Sequence, residues 1–280
     1  MLRRALIFCE KEDKEIKRKV MENLLELFTE KFQENISTTT LAYHRNRVIE
    51  DITKNEDPMK DIKEESFSIA LGLYPVFREY TSRIRGDRER FQTSLRIALA
   101  GNILEFGARD HAPDLENLEE EIFKIIKTKP VIDETDRIYE KIRNSKEILY
   151  VTDNTAELVF DKIFIEELRN YSDIYISPLS RPVQDDATVE DVKKLGIDKI
   201  CKIIPRGDSI GIWFEKTTPE FQRVYEDVDF VIAKGMGCYE TLVDYPKKTG
   251  GRVALLMKAK CLPVARNVGV PVGSNVVKIM

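Results

Sequence analysis

Apolar positions in the first half of the chain recur at steps of three and four. Between residues 12 and 33, Ile16, Val20, Leu24, Leu25, Leu27 and Phe28 fall on one side of a helix. Ser37 ahead of Thr38-Thr39-Thr40 predicts a capped helix reaching about Thr53. Asp57-Pro58 reads as an N-cap followed by proline at the first helical position, with a helix running to about Tyr74 and a kink or boundary at Pro75. Residues 87–107 and 116–127 are helical in pattern as well. Such stripes are the core faces of a helical bundle.

From about residue 147 the texture changes. Ile148 to Thr152, Ile174 to Ser177, Lys202 to Ile204, Phe230 to Ala233 and Val253 to Met257 are short apolar runs. Helical patterns at 155–169, 187–195, 217–226 and near 238–245 separate them. Continuously apolar strands alternating with helices predict a parallel sheet covered on both faces. The expected plan is therefore α/β, with a helical region at 1–147 packing on a Rossmann-like domain at 148–280.

Ligands of open α/β sheets bind beyond the carboxyl ends of the strands. Polar residues gather there: Asp153-Asn154-Thr155-Ala156-Glu157, then Pro178 to Asp186, then Pro205-Arg206-Gly207-Asp208-Ser209, then Lys234-Gly235-Met236-Gly237. Asp153, Asn154 and Asp186 could offer two carboxylates and an amide oxygen to magnesium or manganese. Asp153 and Asp185-Asp186 also have the look of ordinary helix caps. Lys234-Gly235 suits a phosphate at a helix N-terminus, or is a plain tight turn. Arg206 is either a second cation of such a site or a surface arginine in a turn. Gly101-Asn102 interrupts a helical pattern, which points to close packing or to a polar contact with a site.

Composition narrows the chemistry. The 280 residues carry 45 Lys plus Arg against 49 Asp plus Glu, a net charge of −4, which argues against a broad nucleic-acid surface. No apolar run approaches the roughly 20 residues that span a membrane. The opening Met1-Leu2-Arg3-Arg4-Ala5-Leu6-Ile7-Phe8-Cys9 is too briefly apolar for a secretory signal, so a cytoplasmic location is expected. The four cysteines, at 9, 201, 238 and 261, have no CxxC spacing. His44 and His111 are the only histidines, so a three-histidine zinc site is impossible and oxygen ligands would have to carry any metal. With no base adjacent in sequence, Cys238 is not expected to be a nucleophile.

Taken in order, Ala100-Gly101-Asn102-Ile103-Leu104-Glu105-Phe106-Gly107, Asp153-Asn154-Thr155-Ala156-Glu157 with Phe160-Asp161, Asp185-Asp186-Ala187-Thr188 with Asp191, Lys234-Gly235-Met236-Gly237-Cys238-Tyr239-Glu240-Thr241 and Lys258-Ala259-Lys260-Cys261 resemble the metal-dependent damage-control phosphatases, domain of unknown function 89, in their stand-alone archaeal-type branch. The resemblance runs from about Asp57 to the C-terminus. It implies a Rossmann-like α/β/α fold with an N-terminal helical bundle. It also implies a divalent metal (Mg, Mn, Co or Ni) on Asp153, Asn154 and Asp186, and Lys234 near a substrate phosphate. Asn102 and Glu157 match positions lining the same cleft. The implied activity is hydrolysis of phosphate monoesters on small, damaged or surplus metabolites. Asp153 or Asp186 would take a proton from water, and Lys234, with Arg206, would neutralise phosphate charge.

The chain departs from the pattern at two places. Cys9 stands alone where related chains often carry CxxC, and Met236 and Cys238 stand where an acid or amide and then Asn are usual. Two rival readings are a carboxyl methyltransferase using a methyl donor and a non-catalytic metal-binding regulator. The turn after the first strand has no glycine, against the first. The intact ligand set stands against the second. A covalent aspartyl nucleophile is disfavoured, since Thr155 occupies the position of the second carboxylate in a DxD motif.

Overall fold

A computed structural model describes residues 1–32, 36–104 and 117–280. In chain order the elements are α1 (Leu2–Phe8), α2 (Lys14–Lys31), α3 (Thr38–Thr53), α4 (Lys60–Ser82), α5 (Asp87–Ala100), a 3-10 turn (Gly101–Leu104), α6 (Leu118–Lys127), β1 (Ile132–Asp133), α7 (Thr135–Arg143), β2 (Glu147–Val151), α8 (Glu157–Leu168), β3 (Asp173–Ser177), α9 (Val189–Lys194), β4 (Lys202–Ile203), α10 (Pro219–Asp227), β5 (Phe230–Lys234), α11 (Gly235–Leu242), α12 (Pro246–Thr249), β6 (Val253–Lys258), α13 (Leu262–Val268) and β7 (Asn275–Ile279).

Capping explains several boundaries. Asp13 and Ser37 accept backbone N–H groups at the starts of α2 and α3, and Thr188 with Asp191 closes a capping box on α9. Two expectations about α4 need correction. Asp57 does not cap it, because its carboxylate pairs instead with Lys63 at 2.7 Å. Pro75 neither ends nor bounds the helix, which continues to Ser82. The predicted 87–107 helix ends at Ala100, and its last residues, with His111 and the start of the 116–127 helix, lie outside the described residues.

The sheet order is β1-β7-β6-β5-β2-β3-β4. Its five strands from β6 to β4 are parallel, as the apolar runs predict. The sheet as a whole is mixed, because β7 runs antiparallel to β6 and β1 runs parallel to β7. β1 has two residues, too few for a period, and it brings residues of the first 147 into the sheet.

Strand alternation divides the core in two. Ile148, Tyr150, Ile174, Ile176 and Ile232 face a layer that includes α4 to α8. Leu149, Val151, Val231, Ala233 and Leu255 face α10, α11 and α13. Helices α1 to α3 bury a third cluster around Phe8, Val20, Leu24 and Ile49. Helix α8 is buried on nearly every side. Gly101 lets the turn after α5 approach it, since a Cβ there would stand 3.2 Å from both Glu157 Cγ and a Phe160 ring carbon.

From β2 the chain moves outward to β3 and β4, then returns to β5 on the other side of β2. This reversal opens a crevice beyond the carboxyl ends of β2 and β5. Among the described residues no helix is long and apolar enough to cross a membrane.

Candidate active site

Asp153 and Asn154 follow the end of β2 after one intervening residue, Thr152, and backbone pairing brings Asp186 to them. Thr155 N–H donates to Asp185 O and Ala187 N–H to Asp153 O, each at 2.8 Å, and Asn154 bridges antiparallel to Asp186. Two segments about 30 residues apart in sequence thus run side by side as a short ladder. The expected ligand trio stands on one rigid edge, and neither Asp153 nor Asp186 is consumed as a helix cap. Gly235, with φ of 80°, passes directly beneath Asp153, and a Cβ there would overlap the carboxylate.

Asp153, Asn154, Asp185, Asp186 and Asn102 line one side of a cleft of about 540 Å³. Asn102 donates to Glu157 at 2.9 Å and stands 3.5 Å from Asp153 Oδ2. Asp186 Oδ2 accepts from Arg206 at 3.3 Å. One buried oxygen of Asp185 has no hydrogen-bond partner. Burial raises the Asp153 pKa well above the usual carboxylate range, and the charges of Glu157, Asp186 and Asp185 push the same way. Burial lifts Asp186 to about 7, against the pull of Arg206 and with a further push from Asp185. Carboxylates crowded until they resist ionising are what a cation would relieve. Among the described residues no three His, Cys, Asp or Glu side chains stand ready to hold one ion. An ion here would rely on the carboxylates of Asp153 and Asp186 and the amide oxygen of Asn154, with water and substrate completing its shell. That oxygen-only set suits a hard divalent cation.

Four expected substrate contacts stand elsewhere. Lys234 is fully buried, and its Nζ donates to Asp161 and Glu157, each at 2.5 Å, and to Ala98 O at 2.9 Å. All three ammonium donors are used, so Lys234 ties β5 to α5 and α8 and does not face the cleft. Burial works against its charge, yet Asp161 and Glu157 together raise its pKa. Arg206 is 1% exposed and fixes Ser177 O, Gly211 O, Thr152 and Asp186, so it positions a carboxylate and does not line the cleft. Glu157 is buried between Asn102 and Lys234. Gly235 provides the floor under Asp153, and it is Met236 and Gly237 of that turn that line the cleft. Cys238 is buried, and burial pushes its thiol up to about 12, which disfavours the thiolate.

The facing wall carries cations that sequence reasoning did not assign: Arg3, Arg4, Arg45 and Lys260. Arg4 donates to Gln184 at 2.9 Å. Burial and the neighbouring charge of Arg4 bring Lys260 down to about 7. Two signals were present. Lys260 follows a strand end, that of β6, and Arg45 interrupts the buried face of α3 formed by Ala42 and Ile49.

The family profile described as the damage-control phosphatase ARMT1-like domain matches residues 1–276. An uncharacterised protein of Methanocaldococcus jannaschii is 35% identical over 264 residues, covering 92% of this chain and 85% of its own length. A damage-control phosphatase of Pyrococcus horikoshii is 32% identical over 95% of this chain and 89% of its own. A damage-control phosphatase of Archaeoglobus fulgidus is 28% identical over 96% of this chain and 92% of its own. The crystal structure of a P. horikoshii protein of the domain of unknown function 89 family superposes with a TM-score of 0.86 at 30% identity, over 99% of this chain and 94% of that one.

Proposed function

The chain belongs to the ARMT1-like damage-control phosphatase family, and from that premise we propose that it hydrolyses phosphate monoesters of small, damaged or surplus metabolites with a divalent ion held by Asp153, Asn154 and Asp186. The observation that carries this reading is the cleft itself. Carboxylates that resist ionisation stand with Arg4, Lys260 and the buried Arg45 around a space the size of a small metabolite. Such a division suits an ion on one wall and phosphate oxygens against the other.

A divalent ion bound there supplies Lewis acidity, polarising a phosphoryl oxygen and acidifying water. The residues do the rest. Lys260 and Arg4 offset negative charge on the phosphoryl oxygens as the ester bond breaks. Asp153 is the freer carboxylate, with only a long contact from Asn102, whereas Asp186 is tethered by Arg206. We therefore assign Asp153 to receive the proton of the attacking water. Magnesium, manganese, cobalt and nickel all accept this donor set. The expected partner is a small phosphorylated metabolite, acted on in the cytoplasm.

The test is phosphate release from a panel of sugar phosphates and nucleotides, with each metal in turn. Asp153→Asn and Asp186→Asn should each lower metal-dependent release by about 100-fold or more. Full metal-dependent activity in either variant would sink the assignment.

A further inference from the structure

Arg45 is 2% exposed and lies on the wall of the cleft. Its Nε and Nη2 both donate to the side-chain oxygen of Asn46, at 3.1 and 2.8 Å. Its Nη1 approaches the Met1 sulfur at 3.3 Å, and the guanidinium lies 5.0 Å from the centre of the Phe8 ring. Among the described residues it meets no carboxylate. Arg206, buried to the same degree, is paired with Asp186. The contrast matters because a buried charge is costly unless paired. Burial, with Arg4 nearby, brings the Arg45 pKa down to about 9, still well above neutrality, so the cation persists at physiological pH. An amide oxygen, a thioether and an aromatic face bring it no negative charge. They fix the plane of the guanidinium and, among the described residues, leave its charge uncompensated. Arg4, also lining the cleft, lies close enough to Arg45, Lys260 and Asp186 for its charge to bias all three.

We propose that Arg45, with Arg4, forms an oxyanion subsite on the wall built by α1 and α3, and that it binds an acidic group of the phosphate ester. That group is the phosphoryl group itself or a second acid on the leaving group. A rigid planar fork suits either one. The proposal rests on this cleft being the phosphoester site. It is tested by binding, so that its failure is distinct from a failure of hydrolysis.

The experiment titrates the whole chain with inorganic phosphate, glycerol 3-phosphate and 3-phosphoglycerate by calorimetry, with and without manganese, at constant ionic strength. Arg45→Met keeps the volume and removes the charge. It should weaken binding tenfold or more while leaving the unfolding temperature equal or higher. A loss shared by all three ligands assigns the subsite to the phosphoryl group. A loss confined to 3-phosphoglycerate assigns it to the second acid. Undiminished binding of all three by Arg45→Met overturns the proposal, as does no binding by the unaltered chain in either condition. Should the variant fail to fold, hydrogen exchange of the unaltered chain decides. Phosphate should slow exchange in α1 and α3 by severalfold, and unchanged exchange there overturns the subsite.

Discussion

Asp153 owes its place to a residue with no side chain. The carboxylate lies against the backbone of Gly235, where a methyl group would overlap it, and the φ of 80° there disfavours any L side chain. Gly235→Ala therefore carries two separable penalties. The left-handed backbone costs about 1–2 kcal/mol, which lowers the unfolding midpoint. The displaced carboxylate should reduce metal-dependent phosphate release by at least about tenfold, that is, by roughly 1.4 kcal/mol of transition-state stabilisation. Calorimetric metal titration beside thermal melts separates them. If metal affinity stays unchanged while only stability falls, Asp153 is not the group that Gly235 serves. Lys234 shows the opposite relation between position and role. It is the last residue of β5 itself, so it shares the alternation of Phe230 and Ile232 and points with them into the α5–α8 core. Asp153 lies just past β2 and escapes that alternation.

At the scale of elements, the site depends on how α3 is fastened to the strand-end loops. Arg181, in the loop after β3, is bidentate to Glu50 of α3, and Arg47 of α3 pairs with Asp208 in the loop after β4. The same β3 loop carries Asp186. The Arg181 contact holds the Glu50 carboxyl below its ordinary pKa. These side chains are partly exposed, so each pair is worth about 1 kcal/mol at most. Glu50→Gln with Asp208→Asn should loosen the cationic wall without touching Asp153. The expected result is a KM raised about three- to fivefold with kcat within about twofold, the signature of lost uniform binding. A fall in kcat with KM unchanged would show that the clamp acts on the carboxylates instead. This fastening was not legible in the sequence, because it joins residues 131 and 161 positions apart. The five parallel strands were legible, since each is a continuous apolar run between helical patterns. The carboxylate wall was legible for the same reason, because Asp153 and Asp186 occupy strand-end loops. The cationic wall was only partly so. Periodicity assigned α3 a core face but could not say that Arg45 on that face meets a cleft. Glu157 and Asp161, one turn apart among the apolar residues of the first half of α8, were the available sign that Lys234 was already partnered.

Over the whole molecule, the sheet reversal beside β2 sets acids of the β-strand ends against cations delivered by the N-terminal helices and by the end of β6. One group on each side, Asp186 and Lys260, is shifted to near neutrality. Asp186 is raised to about 7 from an ordinary 3.8, so in the free chain the folded state binds more protons than the unfolded state between those values. Its favourable contribution is full below about 4 and lost as pH climbs through 7. A cation must displace that proton, so metal affinity rises with pH across the same interval. Lys260 is lowered to about 7 from 10.5, so the folded state binds fewer protons between 7 and 10.5, and the charge it offers phosphate is lost as pH rises through 7. At sub-saturating metal, the two limbs predict a bell-shaped kcat/KM profile centred near pH 7. Lys260→Arg keeps a charge that does not titrate in this range, and should hold activity on the alkaline side to about pH 9 while leaving the acid limb in place. Saturating manganese should move the acid limb alone to lower pH. An unaltered chain that keeps full kcat/KM up to pH 9 would mean that Lys260 does not carry the charge opposite the phosphate, and would leave Arg4 and Arg45 as the cations of that wall.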